Sequence, residues 1–136
     1  MIQRIQSVWL LLAAIFAAIT FSVAFYVGTP VDITGGTQLN AKSNMLLTVL
    51  TVLSGGTAFI AIFLFGNRKL QSRFAVGGLI FTVVLLTDYI LQLKKFSSGS
   101  FALACVIHFG ILAFYILAIR GIRHDEKLIK SLDRLR

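Results

Sequence analysis

Residues 101–136 read FALACVIHFGILAFYILAIRGIRHDEKLIKSLDRLR, an apolar run that passes directly into a basic tail. Between Phe101 and Ile119 there is no Asp, Glu, Lys or Arg. From there on, Arg120, Arg123, Lys127, Lys130, Arg134 and Arg136 hold six of the chain's thirteen Lys and Arg. An uncharged run of this length approaches the roughly 20 apolar residues that a helix needs to cross a hydrocarbon core about 30 Å thick. A basic flank fused to it is an orientation signal and an exposed surface at once.

Three more such runs precede it, at about 8–27, 45–65 and 74–93. The chain is 57% hydrophobic and only 13% charged, with a mean hydropathy of +0.89. A water-soluble domain carries about 25% charged residues. The predicted fold is therefore all-α and polytopic. Residues 1–119 form a bundle of four transmembrane helices, arranged as two antiparallel hairpins. Residues 120–136 form a basic cytoplasmic tail, helical from about Asp125. The first run also fits a secretory signal peptide, with Arg4 as the leading charge and Ser22 and Ala24 as a small-x-small pattern. A retained helix is the reading taken, in which Ala13 with Ala17 and Ala14 with Ala18 permit close helix approach.

The connections are short except for Gly28–Asn44, which holds Pro30 and the pair Gly35–Gly36. Val31 and Ile33 alternate with polar residues before that pair, and Thr37 and Leu39 follow it. A small hairpin turning on Gly-Gly and an irregular loop are equally compatible with this pattern. Gly66–Arg73 reads as a basic turn, and Lys94–Ser100 as a polar closing loop. In the second run, Thr48, Thr51, Ser54, Gly55, Gly56 and Thr57 read as helix-packing residues, with a substrate-lining break at Gly55–Gly56 as the alternative.

Four crossings put Arg4, Arg68, Lys69, Arg73 and the six basic residues of the tail on one side. Lys42, Lys94 and Lys95 are left on the other, a bias of ten to three. Cytoplasmic segments carry the excess of Lys and Arg, so both termini are expected in the cytoplasm and the protein in the inner membrane. Trp9 and Tyr26 sit where interfacial belts are expected. The net charge of +8 lies beside apolar runs, which favours lipid headgroups over nucleic acid. No nucleic-acid partner is expected, since the tail lacks aromatics on which bases could stack.

Asp88 is the only acid inside an apolar run, and His108 lies at similar depth on the next helix. A hydrogen bond between them is expected in the outer half of the bundle, with Gln92 on the same face. Structural glue, snorkelling of Asp88 toward Lys95 and a proton relay are its three possible meanings. Catalysis has little to stand on. There is no nucleophile elbow, no His-Glu-x-x-His and no paired carboxylates, and Tyr115, Ser97 and Ser98 have no visible activating partner. Lone Cys105 excludes an intrachain disulfide and reads as a buried, inert thiol. No metal site, cofactor or small-molecule substrate is identifiable.

In the tail, Leu128, Leu132 and Leu135 recur at i, i+4 and i+7 with Ile129 beside them, one apolar stripe on a helix. Asp125 and Glu126 open it, Arg134 and Arg136 close it, and Glu126 faces Lys130 at i+4. At about twelve residues such a helix is marginal alone in water, so it needs a surface. Leu128, Ile129, Leu132, Leu135, Arg123, Lys127, Lys130 and Arg134 are the candidate contacts with lipid or a partner protein, and the Gly66–Arg73 turn of the same chain is a third candidate surface. Gly121 offers a bend that would lay the segment in the membrane plane.

The opening MIQRIQ with WLLLA at 9–13, and the close IRHDEKLIKSLDRLR, resemble a family of small four-helix inner-membrane proteins of Bacteroidota, a domain of unknown function. Trp9 and the ending Asp133–Arg136 match its pattern, while Leu132 stands where a smaller residue is typical. The resemblance implies four helices and an inner-membrane location, and supplies no activity. The expected function is a non-enzymatic accessory or structural subunit of a larger inner-membrane assembly, in protein export or envelope biogenesis. Membrane lipids and other membrane subunits are its expected partners. The alternative is a small transporter or channel using Asp88 and His108.

Overall fold

A computed structural model describes residues 5–32 and 34–133, apart from the side chains of Leu132 and Asp133. Expectations for Arg4, Ile33, Arg134, Leu135, Arg136 and the Leu132 side chain lie outside the described residues. In chain order the elements are α1 (Ile5–Ile19), β1 (Tyr26–Pro30), β2 (Thr37–Leu39), α2 (Met45–Phe63), α3 (Arg68–Gln92), β3 (Phe96–Phe101) and α4 (Cys105–Asp133). Short 3-10 turns close α2 at Leu64–Gly66 and α3 at Leu93–Lys95. Asn44 and Asn67 cap α2 and α3, their side-chain oxygens accepting the amides of Leu46 and Leu70.

The helices run alternately up and down and pack in a ring, each against its two neighbours, with α4 closing onto α1. The expected pair of hairpins is thus one closed bundle. Small residues set its spacing. Ala13, Ala17, Ala58, Ala61, Ala75 and Ala118 are buried, and a Cβ on Gly55 would stand 3.0 Å from that of Ala17. Buried polar residues (Thr51, Ser54, Gln71, Thr82, His108) face inward, while Ile60, Val83, Val84, Leu91 and Val106 face out. Water would favour the reverse arrangement. Met45–Gly66, Arg68–Lys95 and Cys105–Ser131 are long and apolar enough to cross a membrane.

The all-α expectation is corrected at one end of the bundle by a three-stranded antiparallel sheet in the order β2-β1-β3. The first apolar run does not stay helical to Val27. After Ile19 the chain turns, with the Thr20 hydroxyl donating to Ala17 O at 2.6 Å, and Tyr26–Pro30 then pairs as the central strand. Tyr26 stands opposite Leu39 and Phe101, and Gly28 opposite Thr37 and Gly99. The glycines at 28 and 99 are steric necessities, since a Cβ on Gly28 would lie 2.3 Å from Ser98 O. The hairpin reading of the long loop thus fits, but its first strand lies before Val31 rather than through it. The polar segment at 96–101, read as a loop, is a strand. Its serines serve the pairing, with Ser98 Oγ 2.8 Å from Thr29 Oγ1.

Two helices are longer than their apolar runs. α3 takes in the basic turn from Arg68, and α4 continues through Gly121 to Asp133 without a break, a helix of 29 residues. No proline interrupts it, and Gly121 packs toward α1, where an added Cβ would stand 3.3 Å from the Gln6 Cβ. In place of the expected separate helix, the segment is the unbroken continuation of α4.

Candidate functional site

Three places hold chemistry. The first is the sheet-capped end of the bundle. Phe25 stacks on Tyr89, with centroids 4.6 Å apart, and His108 meets both edge-on, at 5.1 and 4.9 Å. His108 is 1% exposed. Its Nδ1 lies 3.4 Å from Ala104 O, and its Nε2 is buried without a hydrogen-bond partner. The expected Asp88–His108 hydrogen bond is not formed. Consecutive residues on a helix point about 100° apart, so with Tyr89 turned onto His108, Asp88 faces elsewhere. Asp88 Oδ2 and Tyr89 OH are likewise buried and unpartnered among the described residues. Gln92 is buried one turn beyond Asp88, and Cys105 is half-buried beside this cluster.

The second place is the bundle centre, whose organising residue the sequence reading passed over. Tyr115 of α4 donates its hydroxyl to Ser54 O of α2, and lies 3.0 Å from Thr57 Oγ1. Thr57 also donates to Ser54 O, at 2.8 Å. Thr82 of α3 donates to Gly78 O and stands 2.8 Å from Ser54 Oγ, so the Ser54 hydroxyl donates to Thr82. The Tyr115 ring fits only because Gly78 has no side chain, since a Cβ there would lie 2.3 Å from the hydroxyl oxygen. Three helices are thus tied through one tyrosine. The signals were present as the hydroxyls of 51–57 and the pair Gly77–Gly78, but nothing in the sequence pairs them with Tyr115. Gly55 serves the packing of α1 on α2, and α2 runs through Gly55–Gly56 unbroken, which removes the substrate-lining break.

The third place is the far end of α4. Ile122 is fully buried, and Gly121, His124 and Asp125 gather around Ile5 and Gln6 at the described start of α1. Beyond Glu126 the helix projects from the bundle, an arm of about 10 Å to Asp133 at 1.5 Å per residue, its residues 127–131 all exposed. On it Leu128 is 51% and Ile129 41% exposed, flanked by exposed Arg123, Lys127 and Lys130. The expected Glu126–Lys130 pair forms at 2.9 Å.

The family described as Domain of unknown function (DUF4293) matches residues 2–135. The chain belongs to that family. No curated protein and no solved structure matches it. The DUF4293 match takes in the arm as well as the bundle and the sheet, so the arm is part of the unit that defines the family. Among the described residues of this DUF4293 chain, no group of three or more His, Cys, Asp or Glu could hold a metal ion. The hydroxyls at the centre are spent on backbone and on one another, which suits holding helices together better than attacking a substrate.

Proposed function

We propose that this chain is a non-enzymatic inner-membrane protein that serves as an accessory subunit of a larger assembly in protein export or envelope biogenesis. It docks through the α4 arm. The observation that carries this reading is the continuity of α4. One continuous helix carries two adjacent large apolar residues, Leu128 and Ile129, out of the bundle between Lys127 and Lys130. A flexible tail would lose much more entropy on binding than a helix already formed.

In this reading α1 is the fourth crossing. Its 15 residues give about 22 Å of helix, and the turn that follows completes the span. Both ends of the bundle chain then face the cytoplasm, with the arm, and the sheet faces the other side, as the ten-to-three distribution of Lys and Arg favours. The test is gentle extraction of the full chain, and of a chain ending at His124, followed by identification of what co-purifies. A defined set of membrane proteins that the truncation loses is expected. Recovery of the full chain alone, with truncation harmless to the cell, is the contrary result.

A transporter or channel using Asp88 and His108 is the second reading, and one observation favours it: Asp88 Oδ2, Tyr89 OH and His108 Nε2 are all buried without partners. Ion or proton flux in proteoliposomes, lost in Asp88→Asn, would support it over the docking role.

A further inference from the structure

Gly77 and Gly78 are neighbours on α3 with opposite surroundings. Gly78 is required by Tyr115, whereas a Cβ on Gly77 would meet nothing within 4 Å. A glycine weakens a helix relative to alanine, and internal packing gives no reason for this one. What it does is keep the floor of a groove low. Leu70, Arg73, Phe74, Gly77 and Phe81 share one face of α3 and, with Thr57 of α2, line an open groove of about 360 Å³. The Thr57 hydroxyl is already committed to Ser54 O and Tyr115, so the groove offers carbon along its length. Polarity is confined to its mouth. The exposed Arg73 guanidinium has no acidic partner among the described residues; Arg68 and Lys69 precede it at the start of α3, and Lys69 is near enough to Glu126 of α4 to help hold that carboxyl below its usual range. From Arg73 to Phe81 the groove runs about 12 Å along the helix, close to the roughly 15 Å of one leaflet's hydrocarbon.

We propose that this groove is a binding site for one anionic glycerophospholipid, an acyl chain lying over Gly77 between Phe74 and Phe81 with the phosphate headgroup at Arg73. The dimensions fit a chain rather than a helix, which is about 10 Å wide. The cation at the mouth fits a phosphate diester, and α3 adds the positive end of its dipole. The site rests on the membrane-embedded reading.

The test uses the full chain in neutral detergent, given phosphatidylglycerol or phosphatidylcholine with the same acyl chains and weighed by native mass spectrometry. One phosphatidylglycerol retained in preference to phosphatidylcholine is expected. Arg73→Gln should reduce that preference about fivefold, the effect of one basic residue on an anionic headgroup. Gly77→Leu fills the groove into open space, so it should leave the melting temperature unchanged while abolishing retention. Gly56→Leu, on the opposite side of α2, should retain the lipid. Equal retention of the two lipids, or undiminished retention by Gly77→Leu, overturns the proposal. So does a wild-type dimer that Gly77→Leu dissociates, since the groove would then hold a second copy.

Discussion

Tyr115 bears on stability through atoms whose removal can be measured one at a time. Tyr115→Phe deletes the hydroxyl that joins α4 to Ser54 O and Thr57, and should destabilise the bundle by about 1 kcal/mol in a reversible detergent unfolding assay. Gly78→Ala forces a methyl into the Tyr115 ring and should cost about 1–3 kcal/mol. Gly77→Ala, one residue away, points into open space and should be neutral or stabilise by up to about 1 kcal/mol. Equal effects at 77 and 78 would contradict the placement of Tyr115. A double-mutant cycle between Asp88→Asn and His108→Leu should give a coupling below about 0.5 kcal/mol, because no hydrogen bond joins them. A coupling above about 1 kcal/mol would restore the pair expected from their depth in the sequence.

At the scale of elements, the helices were legible and the sheet largely was not. Runs of twenty apolar residues leave the backbone no partner but itself in lipid, so their helical state follows from composition. The strand from Tyr26 to Pro30 begins inside such a run, and β3 reads Phe-Ser-Ser-Gly-Ser-Phe with no alternation to reveal it. Their pairing depends on Gly28 meeting Gly99 across about seventy residues, a contact that no local pattern encodes. Gly28→Ala should therefore lower stability by about 1–3 kcal/mol, through collision with Ser98 O. Gly121 misled in the other direction. Glycine marks a bend only where nothing holds the helix straight, and here packing on Gln6 holds it. Spin labels at Leu117 and Ser131 should give a narrow distance distribution near 21 Å between backbones, fourteen residues at 1.5 Å each. A broad or much shorter distribution would mean that the arm is hinged.

The whole molecule is a bundle tied at its centre by Tyr115, capped at one end by a sheet and extended at the other by the α4 arm. The candidate sites were legible only as residue types. His108 is buried and Asp88 half-buried, and neither bonds the other because their facing is set by the rotation of α3, which the sequence does not display. Leu128 and Ile129 stand out as an apolar stripe, and the structure adds that both are exposed on an unbroken continuation of α4. Docking through that arm is the central claim. Its most direct test is a photo-crosslinking amino acid placed at Leu128 in living cells, with one at the outward-facing Val84 of α3 as control. One discrete protein adduct is expected from position 128, absent from 84 and lost when Ile129→Glu is added. Adducts to lipid alone from both positions, or a protein adduct that Ile129→Glu leaves unchanged, would contradict it.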